Sequence, residues 1–247
     1  MIGDGFVVRS LAVTYPDDAL IAEHDHPWAQ LVYGRSGVMR VATPGASWLI
    51  PPTRAIWLPA RRPHEIQMRG VVALRTLYLA PEIVTNLPSQ ATALEVAPLL
   101  AELILHILNI GMLDPAFAPH VRLAGVLTDL ICSARCEDLS LPLPSDRRAL
   151  ALAERVQANP HDKSNLASLA RTTGSSLRTL QRLFPRETGL SLEAWRHKAR
   201  MIHAVARLAA GVPVTAAALD CGYESASAFI TAFRRQFGAT PGRYRLA

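Results

Sequence analysis

The segment His24-Asp-His26-Pro-Trp-Ala-Gln30 sets two imidazoles one residue apart and an amide four residues beyond. Alternate residues of a strand point the same way, so His24 and His26 can project together. Imidazole nitrogens are ligands for transition metals, and the spacing looks like the start of a metal site. The same groups can instead line a pocket for an organic effector or serve as hydrogen-bonded packing. Elsewhere reactive residues are sparse. Cys132 and Cys136 sit four apart in a segment of helical period and read as buried, inert thiols; with Cys221 the count is odd, which argues against a disulfide framework. His106 falls in an apolar helical run and reads as core, whereas His161 and His197 read as surface. No Ser/His/Asp arrangement or phosphate-binding glycine loop stands out.

The elements that must position these groups change character along the chain. Residues 6–79 hold short β-rich runs such as FVVRSLAV, QLVYG, RAIWLP and ALRTLYLA, broken by Gly and Pro signals, and predict a small barrel or sandwich. Two helices are expected over 95–112 and 117–136. Leu99, Leu100, Leu103, Ile104, Ile107 and Leu108 cover more than one face of the first. One side can lie on the strands and the other can meet a second subunit, the alternative being a wholly internal helix. The stretch EDLSLPLPSD, 137–146, carries prolines that oppose regular structure and marks a boundary. Beyond it the period is helical throughout, with helices expected over 146–158, 165–173, 176–186, 191–210, 214–221 and 225–237, and a short one from 241.

Charge divides at the same place. Residues 1–144 hold 10 Lys/Arg and 13 Asp/Glu, a net of −3, whereas residues 145–247 hold 16 and 7, a net of +9. A basic module beside an acidic one suggests a polyanionic partner for the basic one alone. No uncharged apolar run of 18 residues occurs and the first 30 residues lack a signal-peptide pattern, so a cytoplasmic protein is expected.

The basic module repeats itself. SLRTLQRLFPRETGLSLEAWR and SASAFITAFRRQFGATPGRYR align at an offset of 49 residues, matching Ser176 to Ser225, Leu180 to Phe229, Phe184 to Phe233, Gly189 to Gly238 and Trp195 to Tyr244. Upstream of each copy stands Ala-x-x-x-Gly, at Ala170–Gly174 and Ala218–Gly222. A small residue lets two helices cross closely and a glycine takes the turn, which is the mechanical need of a helix-turn-helix. The helix between the copies, 191–210, would run about 30 Å, near the roughly 34 Å between successive major grooves on one face of B-DNA.

Residues 150–245 closely resemble the DNA-binding domain of the AraC/XylS family of transcription regulators, through LASLARTTGSSLRTLQRLFPRETGLS and ALDCGYESASAFITAFRRQFGATPGRYR. The resemblance implies double-stranded DNA as partner, with most base reading done by the first motif. By position the readers there are Ser175, Ser176, Arg178, Thr179, Gln181 and Arg182, with Gln181 and Arg182 foremost. Arginine pairs bidentately with guanine and glutamine with adenine, so the side-chain chemistry agrees. The second copy departs from the family at Thr231, where arginine is common. There Ser227 and Thr231 remain as readers, while Arg234, Arg235 and the Ser225 amide are expected to hold the backbone. The resemblance also implies activation by contact with RNA polymerase, with repression as the other sign, while the expected homodimer rests on the second apolar side of the 95–112 helix.

Residues 15–80 resemble the cupin barrels. His24-x-His26-x-x-x-Gln30, with Gly37 seven residues on, matches the first cupin motif with glutamine in place of glutamate, and PARRPH supplies Pro59 and His64 of the second, with Arg61 replacing a glycine. The resemblance implies a ligand set of His24, His26, Gln30 and His64 for a divalent metal, with Zn, Ni, Fe and Mn all suited. Trp28, Trp48 and Trp57 are candidates for lining an effector pocket, with ordinary barrel packing the other reading.

The expectation is therefore an α+β chain. A cupin-like effector-binding β-barrel spans 1–90, a helical linker and dimerisation region 91–140, and an all-α DNA-binding domain with tandem helix-turn-helix motifs 145–247. It reads as a non-enzymatic transcription regulator whose promoter binding responds to a small molecule or metal. The alternative class is a metal-dependent cupin enzyme, an oxygenase or isomerase, with a helical appendage.

Overall fold

The computed structural model describes residues 5–244. In chain order its strands and helices are β1 (Val8–Tyr15), β2 (Leu20–His24), β3 (Ala29–Gly34), β4 (Val38–Thr43), β5 (Ala46–Ile50), β6 (Arg54–Leu58), β7 (His64–Arg69), β8 (Val72–Leu79), β9 (Thr92–Glu95), α1 (Pro98–Ile110), β10 (Met112–Leu113), α2 (Ala118–Ser133), β11 (Cys136–Glu137), β12 (Ser140–Pro142), α3 (Arg147–Ala158), α4 (Leu166–Thr172), α5 (Leu177–Thr188), α6 (Leu192–Ala209), α7 (Val214–Asp220) and α8 (Ala226–Phe237). Among the described residues no helix is long and apolar enough to cross a membrane. Among the described residues two compact units result, one of residues 5–43 and 50–139, the other of 44–49 and 140–244.

In the first unit a seven-stranded antiparallel sheet runs β10-β1-β8-β3-β6-β9-β11, and β4, β7 and β2 pair in that order beside it. Strands β3 and β6 are buried at every position; AIWL of β6 is a continuous apolar run, and β3 is apolar but for Gln30 and its tyrosine. Parity sorts their side chains. Leu31, Tyr33, Ala55, Trp57, Leu77 and Leu79 share one cluster with Leu100, Leu103, Ile104 and Ile107 of α1 and Leu127 and Ile131 of α2. The intervening residues, Gln30 and Thr76 among them, face the opposite way. Arg54 of β6 and Glu137 of β11 close the sheet with two 2.8 Å hydrogen bonds, both side chains being 3% exposed.

Several expectations change here. The helical region 91–140 is no separate body, because α1 and α2 bury their apolar stripes on the sheet, and β9, β10 and β11 add to its edges. The prolines of 137–146 do not abolish regular structure, since β12 forms within that stretch and includes Pro142. His106 is exposed, because α1 turns Leu103, Ile104 and Ile107 inward and His106 away. The thiols of Cys132 and Cys136 are exposed too; α2 ends at Ser133, so the two do not share a helix. Leu99 is 62% exposed, as are large parts of Phe117, Val121 and Val126 on the neighbouring segment.

The second unit is helical apart from β5 and β12, which pair Trp48 with Ser140 and Ser47 with Leu141. Ser47 donates to Gln157 of α3 at 2.9 Å, tying this short strand pair to the helices. The duplication read from the sequence recurs in space. Phe184 meets Trp195 edge-on at 5.2 Å, and Phe233 meets Tyr244 edge-on at 5.2 Å, with all four rings fully buried. Gly189 and Gly238 end α5 and α8 in the left-handed conformation at φ 73° and 67°, where a side chain is opposed.

Candidate functional site

Strand pairing, not a shared strand, brings the histidines together. His24 ends β2 and sits opposite His64, the first residue of β7. His26 lies in the connection to β3, so the expected alternation along one strand is not what aligns it with His24. Its carbonyl accepts from the Arg61 amide at 2.7 Å, and Arg61 holds a left-handed φ of 56° to make that contact. The position where the cupin pattern has glycine thus keeps a glycine-like backbone. Ring centroids lie 4.3 Å apart for His24–His64, 5.2 Å for His26–His64 and 5.8 Å for His24–His26. One ligand nitrogen from each falls within 4.8 Å of the others.

The tautomers follow from the backbone. Each Nδ1 faces a carbonyl two residues away: His24 that of Ala22 at 2.9 Å, His26 that of Trp28 at 2.7 Å, His64 that of Arg62 at 2.8 Å. A carbonyl only accepts, so each Nδ1 carries the proton and each neutral ring keeps its lone pair on Nε2. The buried Nε2 of His64 has no hydrogen-bond partner. Burial lowers the His64 pKa to about 4, with the His24 and His26 charges adding to that and the Arg62 carbonyl opposing it. That ring is neutral near pH 7, as a metal ligand must be.

Gln30 completes the group. Its amide nitrogen donates to Thr76 Oγ1 at 2.9 Å, and the Thr76 hydroxyl donates to the Leu31 carbonyl at 3.0 Å. That relay leaves Gln30 Oε1 pointing at His26 Nε2, 3.1 Å away. With Nδ1 protonated, these are two acceptor atoms face to face. A proton on His26 Nε2 would reconcile that one pair; a cation would serve it and the orphaned His64 nitrogen together. The donor set, three neutral imidazoles and an oxygen, fits a divalent transition metal. Thr76 was missed in the sequence, where its signal is a hydroxyl sharing one parity of β8 with Val72, Leu74 and Tyr78.

A cavity of about 360 Å³ opens beside the cluster, walled by Arg9, Ser10, His26, Pro27, Trp28 and Tyr78. The Arg9 guanidinium lies 4.1 Å over the Trp28 ring. Burial raises the Tyr78 pKa, which keeps its phenol protonated. The other two tryptophans stand elsewhere. Trp57 has the parity of the helix-facing residues and donates Nε1–H to the Pro88 carbonyl at 2.7 Å. Trp48 is buried and falls in the second unit.

In that second unit α5 buries Leu180, Leu183 and Phe184 and exposes Arg178, Gln181 and Arg182, which at spacings of three and four share one face. Ser175 is half-buried. Ser176 is exposed but caps α5 by accepting from the Thr179 amide at 3.1 Å, and Thr179 Oγ1 lies 2.8 Å from it. In α8, Ser225 is the cap, accepting from the Ala228 amide at 3.3 Å. Ser227, Thr231, Arg234 and Arg235 are exposed, with the Thr231 hydroxyl donating to the Ser227 carbonyl at 3.0 Å. The C-terminal ends of both helices carry arginines, Arg186 in α5 and Arg234 and Arg235 in α8, which is favourable against the helix dipole.

Comparison with known proteins agrees with both halves. Residues 6–139 match the AraC-like ligand binding domain, and residues 169–247 match a helix-turn-helix domain. The HTH-type transcriptional regulator NimR of Escherichia coli is 33% identical over 228 residues, 92% of this chain and 83% of its own length. RipA of Corynebacterium glutamicum, an HTH-type transcriptional regulator, is 39% identical over 103 residues, 42% of this chain and 31% of its own. The transcriptional activator NphR of a Rhodococcus species is 33% identical over 131 residues, 51% and 39%. With a ligand-binding-domain match over more than half of the chain, a helix-turn-helix match over its C-terminal part and a regulator one third identical along almost its full length, the chain belongs to the AraC family of DNA-binding transcriptional regulators with an AraC-like ligand-binding domain.

Proposed function

We propose that this regulator senses a divalent metal, or a small molecule held with it, in the β-rich domain and converts occupancy into a change of promoter affinity. His24, His26, His64 and Gln30 are the ligands. The observation that carries this reading is the set of three rings whose Nδ1 protons are all given to carbonyls, beside an amide oxygen aimed by Thr76. The α5 face of Arg178, Gln181 and Arg182 reads bases, with Ser175, Ser176 and Thr179 around the helix start. Helix α8 grips phosphates through Arg234, Arg235 and the Ser225 amide, and Ser227 and Thr231 read few bases. The protein acts as a cytoplasmic homodimer that activates by contact with RNA polymerase and does no chemistry on its ligand; NphR's designation as an activator supports the sign.

An effector shifts the DNA equilibrium only through unequal affinity for the free and bound arrangements. The test is an anisotropy titration of a duplex selected from a random pool, with Zn2+ and with EDTA. The dissociation constant is expected to differ between the two conditions, and His64→Ala is expected to remove the difference. Identical curves for the wild-type protein would falsify metal sensing while leaving DNA binding untouched.

A further inference from the structure

The ligand set has an unusual charge balance. Three neutral imidazoles and one amide carry no charge, so a divalent ion held by them keeps its full 2+ charge. Asp25, the carboxylate whose field reaches His64, is exposed and lies outside the donor set. A dication held this way is better compensated by an anion than by neutral water, and no protein group in the set supplies one.

The cavity at the cluster is suited to bring that anion. His26 belongs both to the cluster and to the cavity wall. The remaining wall joins one cation, Arg9, with the flat faces of Trp28 and Tyr78, the Pro27 ring and a serine; it contains no carboxylate. The Tyr78 ring stands edge-on to His26 at 5.2 Å. About 360 Å³ is near the lower end of small-molecule pockets, which run from about 300 Å³ upward. An apolar, aromatic-walled space of that size beside an uncompensated cation selects a small planar body with a single anionic head.

We propose that the barrel takes a small planar carboxylate, which ligates the metal ion through its oxygens and lays its apolar body against Trp28 and Tyr78. Gln30 is then the specificity-determining residue. A glutamate there would supply the negative ligand internally and remove the need for an external one. The inference rests on the metal reading above and deepens it by naming the class of the co-ligand.

The experiment loads the full-length protein with Co2+, whose ligand-field spectrum reports the metal's coordination, and titrates benzoate as the probe. Benzamide serves as the neutral isostere, and EDTA-treated protein as the metal-free control. Benzoate is expected to change the cobalt bands and to bind at least about tenfold more tightly than benzamide, and at least about tenfold more tightly with metal than without. Gln30→Glu is expected to keep the metal and lose about tenfold in benzoate affinity. Should that variant misfold, the benzoate–benzamide comparison on the wild-type protein decides alone. No cobalt bands at all overturns the metal reading and this inference with it. Cobalt bound, with benzoate silent, matched by benzamide or indifferent to EDTA, overturns the inference and spares the metal.

Discussion

Arg61 holds φ 56° although it has a β-carbon, and it does so to hand its amide to the His26 carbonyl. A left-handed residue with a side chain costs about 1–2 kcal/mol, so Arg61→Gly is expected to raise unfolding stability by about 1 kcal/mol. Denaturant midpoints at constant slope check this, and zinc affinity should stay unchanged because the amide remains. A loss of stability would mean that the arginine side chain contributes more than its backbone costs. At this scale the sequence was only half legible. His24, His26 and Gln30 are close enough in order to be read as one group. That Gln30 offers its oxygen and not its nitrogen depends on Thr76, a diagonal neighbour on β8 that only strand register reveals.

Helices α5 and α8 bury the equivalent Phe184 and Phe233 and expose unequal surfaces, which is the ground for the separate tasks proposed for them. Arg182→Ala is expected to weaken binding to the selected duplex by about 1–3 kcal/mol and to a scrambled duplex by much less. Arg234→Ala should weaken both equally and lower the salt slope by about 1. The reverse pattern would exchange the roles assigned to the two helices. Where α5 ends, Glu187 accepts from the amides of Ser145 and Asp146 at 2.9 Å, joining it to the start of α3. The Asp146 amide first, and then Arg186, hold the Glu187 carboxylate at about 2, below its ordinary 4.5. A folded-state pKa below the unfolded one stabilises fully above about pH 4.5, and that contribution is lost as pH falls toward 2. Glu187→Gln should therefore make the melting temperature fall less steeply across that window. Asp146, itself held at about 2 by Arg148, keeps the remaining slope. These helices were legible because caps, glycines and apolar spacing act over four residues or fewer. The two-residue strands β10 and β11 were not, since a strand that short has no period to read.

Over the whole molecule, the apolar side chains left exposed on α1 and α2 and the segment between them are where the proposed second copy would pack. Leu99 is 62% exposed and Val121 49%. Sedimentation equilibrium of the wild-type protein is expected to give twice the mass of the chain, and Leu99→Glu or Val121→Glu should shift it toward the monomer. A wild-type protein that sediments as a monomer at all concentrations would remove dimerisation from the proposed function. The sequence reading of α1, that its apolar residues exceed what one sheet can cover, follows from counting faces. What it left open was which residues turn inward, and the structure chooses Leu100, Leu103, Ile104 and Ile107.

By itself the sequence determined the order of a β-rich and a helical half, the duplication at 49 residues and the change of charge between them. Each is carried by composition or by neighbours a few residues apart, and such interactions survive in a one-dimensional text. Only the tertiary structure decided that His64 faces His24, that Trp57 turns toward the helices, and that residues 44–49 go with the second unit. Those outcomes depend on pairing register between strands tens of residues apart. A slip of one residue in that register would reverse every side chain it places, and nothing local in the chain records which register is chosen.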